Sequence, residues 1–596
     1  MFNKQLIRHG LPAIVLVLMA LPAGAQSFRV QCPTSTITHP DPNGTGVNNA
    51  EPAYSAPTAL VWTDSGTAIQ NTPEAGYMVP SGAANGAIKC QQISGGDGYA
   101  TTADGHQTFM FSFGPLSGLA NIAAGNPDGA FDRATGAVPP SIFNTVYPGT
   151  LLPGDPATTD GASDSGTAYN AGALGAFTFN GAIGLTPDLD CIAGNQAALA
   201  AGTALPCPNT PNSGLDGHVD PRQIMDVGVM NGNIPAPLIT MDEDDEFFLT
   251  LTNVGMIMRP DLFEQHTVHF HGYPNASSFY DGVPDASVAI NIGGSFTYYY
   301  LAPDAGTYFW HCHITPPEHL QMGMVGQLYV RPRQDRVPSG TNLYTARAAQ
   351  DNDLRTACKS TSDILCSNNL PLTNGAVNAN GNGVARAATG NYVYNDGDGS
   401  TYYDVEYPIQ IHGFDPNFHF VGMTFNPEAF VDMKDKYFLL NGRSYPDTAT
   451  PGPLATQSSD TKVHYSQPLS TIINIPAGKR ALLRIADLDV TEYQTLASLG
   501  VKMQVVGYNA KLLRDQAGNN TAYYTNSITL GGGESLDVIL DTCLVPRVNP
   551  ADLSSACPAG GSPPAGSVFF LYTPQLDHLS NDAENFGGLM AEVHVN

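Results

Sequence analysis

The chain has 596 residues, with 25 Lys and Arg against 53 Asp and Glu, giving a formal net charge of −28 and a pI near 4.6. So acidic a chain argues against nucleic acid or anionic lipid as a partner; the charge either draws in cations or only keeps the chain soluble. With 62 Gly, 46 Pro and only 13% charged residues, the composition suits short strands joined by turns and long polar loops, with room for two β domains.

Residues 1–25 read as a secretory signal: Lys4 and Arg8, an apolar run from Leu11 to Leu21, then Ala23-Gly-Ala25 before Gln26. The run is too short to span a bilayer and no other segment suits one, so cleavage after Ala25 and export to the periplasm or beyond are expected. Residues 26–104, rich in Pro, Thr, Gly and Ala, are expected to form a loop-rich N-terminal extension. Thr108 to Phe113 alternates as a strand does and should open a first domain over 105–335. Within it, the stretch from about 114 to 220 reads as a long surface insertion, and the domain resumes with Ile239 to Asn253. The acids Asp242, Glu243, Asp244, Asp245 and Glu246 read as a solvated turn ahead of a strand.

Two bursts follow that hold six of the fifteen histidines. The first is His266-Thr-Val-His269-Phe-His271; the second is His311-Cys312-His313, continuing through His319 to Met324. A thiolate with two imidazoles and a weak thioether is the set that copper accepts in an electron-transfer site, and His266, Cys312, His319 and Met324 supply it. The pairs His269/His271 and His311/His313 are spaced i, i+2, which on an extended segment puts both rings on one face. Cys312 then points to the opposite face, and one strand end joins two metal sites covalently. A structural zinc site fits less well, because it favours two or more thiolates.

With these bursts the chain resembles the multicopper oxidases, which are built from cupredoxin domains. Asn231-Gly-Asn-Ile-Pro235-Ala-Pro237, Asp281-Gly-Val, Gly293-Gly-Ser-Phe-Thr-Tyr and Gly306-Thr-Tyr-Phe-Trp310 follow in that family's order. The resemblance implies an all-β fold of two cupredoxin-like Greek-key sandwiches. By residue it implies His266, Cys312 and His319 as type 1 copper ligands with Met324 axial, His269 as a type 2 ligand, and His271, His311 and His313 as type 3 ligands. Cys312, His311 and His313 would then carry the electron transfer. The Cys312-to-His319 segment is longer than the family's usual one, as it is in the related copper nitrite reductases. His269 and His313 favour the oxidase side, since neither place holds a ligand histidine in those reductases.

The implied activity is one-electron oxidation of a small-molecule or metal-ion donor, with oxygen as acceptor. A full trinuclear cluster in this family takes about twice the four histidines that the first domain supplies. The chain therefore either completes the cluster by oligomerisation, builds a smaller histidine site like that of the nitrite reductases, or carries electrons at type 1 copper alone.

Residues 336–400 are polar and read as a linker or draped connection, and 401–596 as a second cupredoxin-like domain without copper ligands. Its strand-like runs are Tyr437 to Leu440, Ile472 to Ile475, Arg480 to Ile485, Val501 to Val506 and Ser535 to Leu540. Gly566 to Thr573 is expected to stand where Gly306 to His313 stands in the first domain, with the ligands gone. His412, His419 and His578 read as structural or surface histidines. With Cys312 set aside, proximity suggests the disulfides Cys32–Cys90, Cys191–Cys207, Cys358–Cys366 and Cys543–Cys557, in keeping with an oxidising compartment.

Overall fold

The computed structural model describes chiefly residues 88–115, 232–350 and 383–596, with short breaks, and strands at 58–64, 67–68 and 76–80. The signal, nearly all of the 114–220 insertion and three of the four expected disulfides rest on residues outside these. Cys543 and Cys557 are bonded, with an S–S length of 2.08 Å, and Cys312 is a free, buried thiol. Among the described residues, no helix is long and apolar enough to cross a membrane.

The described chain is all-β, as expected. In the first unit, one sheet runs in the order Gln107–Pro115, Ile88–Thr101, Glu246–Gly255, Ser295–Leu301. The facing sheet runs Ile239–Asp242, Val325–Arg331, Gly306–His311, His269–His271. Alternating residues fill the space between them: Phe109, Phe111 and Phe113, then Phe247, Leu249 and Leu251, meet Phe270, Trp310, Leu328 and Val330 in one buried cluster. Each large side chain contributes roughly 1.5–3 kcal/mol by leaving water.

The second unit repeats this connectivity. Val405–Phe414 lies parallel to Arg480–Asp487 and the latter antiparallel to Ser535–Asp541, as Ile88–Thr101, Glu246–Gly255 and Ser295–Leu301 do in the first. Ile473–Ile475 lies parallel to Met590–Val595, which pairs with Ser567–Tyr572, matching Ile239–Asp242, Val325–Arg331 and Gly306–His311. Register corrects the sequence alignment by one residue: Ser567, not Gly566, takes the place of Gly306, because the strand runs from Ser567↔Val595 to Tyr572↔Met590 as the other runs from Gly306↔Val330 to His311↔Val325. A slip of one would turn the buried Leu571 out of its core.

A buried charge network crosses between the units. Glu406 receives Arg331 at 2.6 Å and Arg484 at 3.0 Å, all three fully buried, and Asp537 accepts from Thr307 and Tyr394. Gln327 of the first unit also donates to the Arg484 carbonyl at 2.7 Å.

Three sequence readings change. The 26–104 extension is not all loop, since Ile88–Thr101 is a central strand of the first unit, and Met78 pairs with Glu406 of the second. Its glycines mislead because they mark close approach: a Cβ on Gly95 would lie 2.6 Å from the His266 ring, and one on Gly98 would lie 2.9 Å from the Gly232 carbonyl. Asp242, Glu243, Asp245 and Glu246 of the acidic run are buried rather than solvated. Glu243 accepts from the backbone N–H of Ala305 and Arg333 and from Asn395, Asp245 accepts from Asp242 N–H, and Glu246 accepts from Tyr299. Such donors offset the desolvation that otherwise keeps acids outside. The 336–400 linker holds the helix Leu343–Gln350, and beyond it Tyr392, Val393, Tyr394 and Asp396 are buried, with Asp335 accepting from Tyr392 N–H at 2.8 Å.

Candidate metal centre

The sheet that carries the bursts places them by register. His269 lies opposite His311, Phe270 opposite Trp310, and His271 opposite Phe309. Phe270 and Trp310 point into the core, so the histidines flanking them point out, and one residue further on Cys312 returns to the core side. The expected division of faces is therefore present in the backbone itself.

On the inner side, His266, Cys312 and His319 converge, with one ligand atom from each lying within 4.8 Å of the others and all three residues buried. The Cys312 Sγ lies 3.2 Å from His319 Nδ1 and 4.0 Å from His266 Nδ1. Thr267 N–H points at the sulfur from 3.4 Å. The loop closes through two backbone hydrogen bonds, Cys312 N–H to the Met324 carbonyl at 3.1 Å and Met324 N–H to the His319 carbonyl at 2.8 Å. Met324 is fully buried in the same cluster as Cys312.

The electrostatics suit a thiolate. Burial opposes ionisation of Cys312, but His319 and His266 outweigh it and hold the thiol well below its usual range. His319 is raised to about 9 against its own burial, chiefly by the Cys312 charge. Glu264, missed in the sequence although it stands two residues before His266, has a carboxylate oxygen 3.5 Å from His319 Nε2. His319 holds that carboxyl below its ordinary value. The three donors and the low thiol pKa fit a soft, redox-active metal such as copper.

On the outer side stand His269, His271, His311 and His313. The ring centroids of His269 lie 5.2 Å from His311 and 5.1 Å from His313; His271 lies 5.9 Å from His269 and from His311. The Asp281 carbonyl fixes His269 Nδ1 at 2.7 Å, and the Cys312 carbonyl fixes His311 Nδ1 at 2.7 Å, leaving each Nε2 for another partner. Burial depresses His269 and His271, and brings His311 to about 3, so these rings keep their lone pairs at neutral pH. His271 is exposed, and His269 and His313 are partly so.

His412, His419 and His578 do not join either group. Both rings of the first two turn a nitrogen to the Gln321 carbonyl, at 3.4 Å and 3.0 Å, and His578 is held between Gln494 and Glu492.

Comparison with known proteins bears on this segment. The multicopper oxidase family model matches residues 216–335. A laccase of Aspergillus fumigatus, abr2, is 34% identical over 109 residues, 18% of this chain and 17% of that protein. Multicopper oxidase MmcO of Mycobacterium tuberculosis is 31% identical over 137 residues, 23% of this chain and 25% of its own. The chain thus spans a quarter or less of the length of these relatives. Among solved structures, a blue copper oxidase from Nitrosomonas europaea aligns over 61% of this chain and 78% of its own, at 20% identity and a TM-score of 0.37. Every candidate ligand lies within residues 216–335, the segment that matches the multicopper oxidase family model.

Proposed function

We propose that the chain is an exported, copper-dependent oxidoreductase that takes electrons singly from a phenolic or metal-ion donor and delivers them to oxygen. The observation that carries this reading is the convergence of His266, Cys312 and His319 directly behind a four-histidine face, with Cys312 covalently joined to two of those histidines. His266, Cys312, His319 and Met324 would hold type 1 copper, His269 type 2, and His271, His311 and His313 type 3. Copper in those places supplies the one-electron redox chemistry and the oxygen reduction.

The chain's own residues do the rest. Cys312 offers a through-bond path to His311 and His313, with the hydrogen bond from His311 Nδ1 to the Cys312 carbonyl alongside it. Asp281 holds the His269 ring in place. Glu264, its side chain 27% exposed, stands between solvent and the buried His319 ring, at the point where a donor would approach. Four histidines are half of the family's trinuclear set, and their face is open to solvent at His271. A second copy related by a twofold axis would supply the other half, since a symmetric interface repeats every patch. Export is supported by the signal-like residues 1–25 and by the Cys543–Cys557 disulfide.

The test combines oxygen uptake with a phenol, a cuprous or a ferrous donor with a copper count and sizing on the same sample. Two or more coppers per chain in an oligomer that consumes oxygen is the expected result. One copper per chain and no oxygen uptake would make the protein an electron carrier, and a strict monomer that still reduces oxygen would remove the shared cluster.

A further inference from the structure

The loop from Cys312 to Met324 carries three of the four type 1 candidates, and besides the two backbone hydrogen bonds that close it, it is held by contacts from outside. It enters the short helix Pro316–Gln321 at Thr315, whose φ of 38° is left-handed and whose side chain makes no capping hydrogen bond. Its far end is held from both units: Ser112 of the first donates to the Gly323 carbonyl at 2.6 Å, and the second unit grips Gln321. Gln321, fully buried, donates its side-chain N–H to Asp435 at 2.8 Å and accepts from Asp415 N–H at 3.0 Å. The Gln321 carbonyl is faced by His412 and His419. All four partners lie in the second unit, and Gln321 stands two residues after His319 and three before Met324.

Behind Gln321 the anchor is rigid. The other Asp435 oxygen receives Thr491 Oγ1, which also reaches Asp489 at 3.1 Å. Asp489 is held by Gln494 at 2.6 Å and by Thr491 N–H at 2.8 Å. Gly413 must be glycine here, because any Cβ would collide with the Asp435 carboxylate and come within 2.9 Å of Asp489. Burial and the adjacent Asp489 charge hold the Asp435 carboxyl well above its ordinary range.

We infer that Asp435, seated on Asp489, is a positioning residue of the second unit that sets the ligand-bearing loop through Gln321 and so tunes the copper environment at Cys312. The inference rests on reading Cys312 as a copper ligand. Partners one step removed from the ligands fix ligand orientation, and losing one typically costs about 10- to 100-fold in metal affinity.

The test uses the full copper-loaded chain and reads the visible sulfur-to-copper band, the reduction potential and copper retention against a chelator. Asp435→Asn keeps an acceptor for Gln321 and a neutral donor toward Asp489, so it should behave as the unaltered protein. Asp435→Ala should shift the band and the potential and weaken copper retention about 10- to 100-fold. Gln321→Met, which keeps the volume and leaves the aspartate pair intact, should do the same and stands in if Asp435→Ala fails to fold. Band, potential and retention unchanged in both Asp435→Ala and Gln321→Met, with the band present in the unaltered protein, would overturn the clamp alone. Absence of the band from the unaltered protein would overturn the copper reading together with it.

Discussion

The two sandwiches share one connectivity, and their equivalent positions show what separates a candidate metal centre from ordinary packing. Register sets Thr573 where Cys312 stands, since Thr573 N–H bonds the Leu589 carbonyl at 3.0 Å as Cys312 N–H bonds that of Met324. Leu589 thereby takes the place of Met324. Leu589 N–H in turn bonds the His578 carbonyl, as Met324 N–H bonds that of His319, so His578 is the counterpart of His319. Ala497 pairs with Tyr572 as His269 pairs with His311, which puts Gln494 at the place of His266. Even the acid recurs: Glu492 lies 3.0 Å from His578 Nε2, where Glu264 lies 3.5 Å from His319 Nε2. One frame thus holds a His-Cys-His-Met set in the first unit and Gln-Thr-His-Leu in the second. In the second, a hydrogen bond from His578 Nδ1 to Gln494 Oε1, at 2.9 Å, spans the gap that the metal would span.

The sharpest way to break this comparison is to make the first site like the second. Cys312→Ser should abolish both the visible band and oxygen uptake, leaving background rates; turnover equal to the unaltered protein would remove Cys312 from the mechanism. The converse is Gln494→His with Thr573→Cys and Leu589→Met, which should add one copper per chain and a second band of sulfur character. No gain in copper on a folded variant would mean that the second loop has lost its geometry along with its ligands.

Next in size is the contact between the units. Glu406→Ala leaves Arg331 and Arg484 buried without their carboxylate, and should cost about 3–5 kcal/mol in urea unfolding. A loss below about 1 kcal/mol would mean that water replaces the carboxylate there.

Acid should act through buried neutral histidines. Burial brings His419 to about 4, below the value of about 6.5 for an unfolded chain. As pH falls below 6.5 the unfolded chain takes a proton that the folded chain refuses, so stability is fully present above 6.5 and is lost as pH falls toward 4. For His419 the loss amounts to about 3 kcal/mol, and urea midpoints of metal-free protein across that window should be flatter for His419→Gln.

The smallest effect expected is at the axial position. Met324→Leu should raise the reduction potential while the band persists, and an unmoved potential would make Met324 core packing only.

What could be read from the sequence was short-range. The bursts at 266–271 and 311–324 carry their meaning in i, i+2 spacing and a thiolate between histidines, and the structure brings those residues together. The strand Tyr437–Leu440 and its neighbours were legible as short apolar runs bounded by turns. What could not be read depends on partners far away in the chain. Ile88–Thr101 reads as loop because its glycines make room for His266 and for the 232 backbone. Glu243 reads as solvated because its donors come from Ala305, Arg333 and Asn395. Gln321 carries no signal of its own, since its role exists only through Asp415, Asp435, His412 and His419.

The most direct measurement is the visible absorption spectrum of the copper-loaded, oxidised chain, recorded beside Cys312→Ser. An intense sulfur-to-copper band in the unaltered protein that vanishes in the variant is the expected result. A copper-loaded protein without that band, or a variant that keeps it, would contradict a redox centre at Cys312.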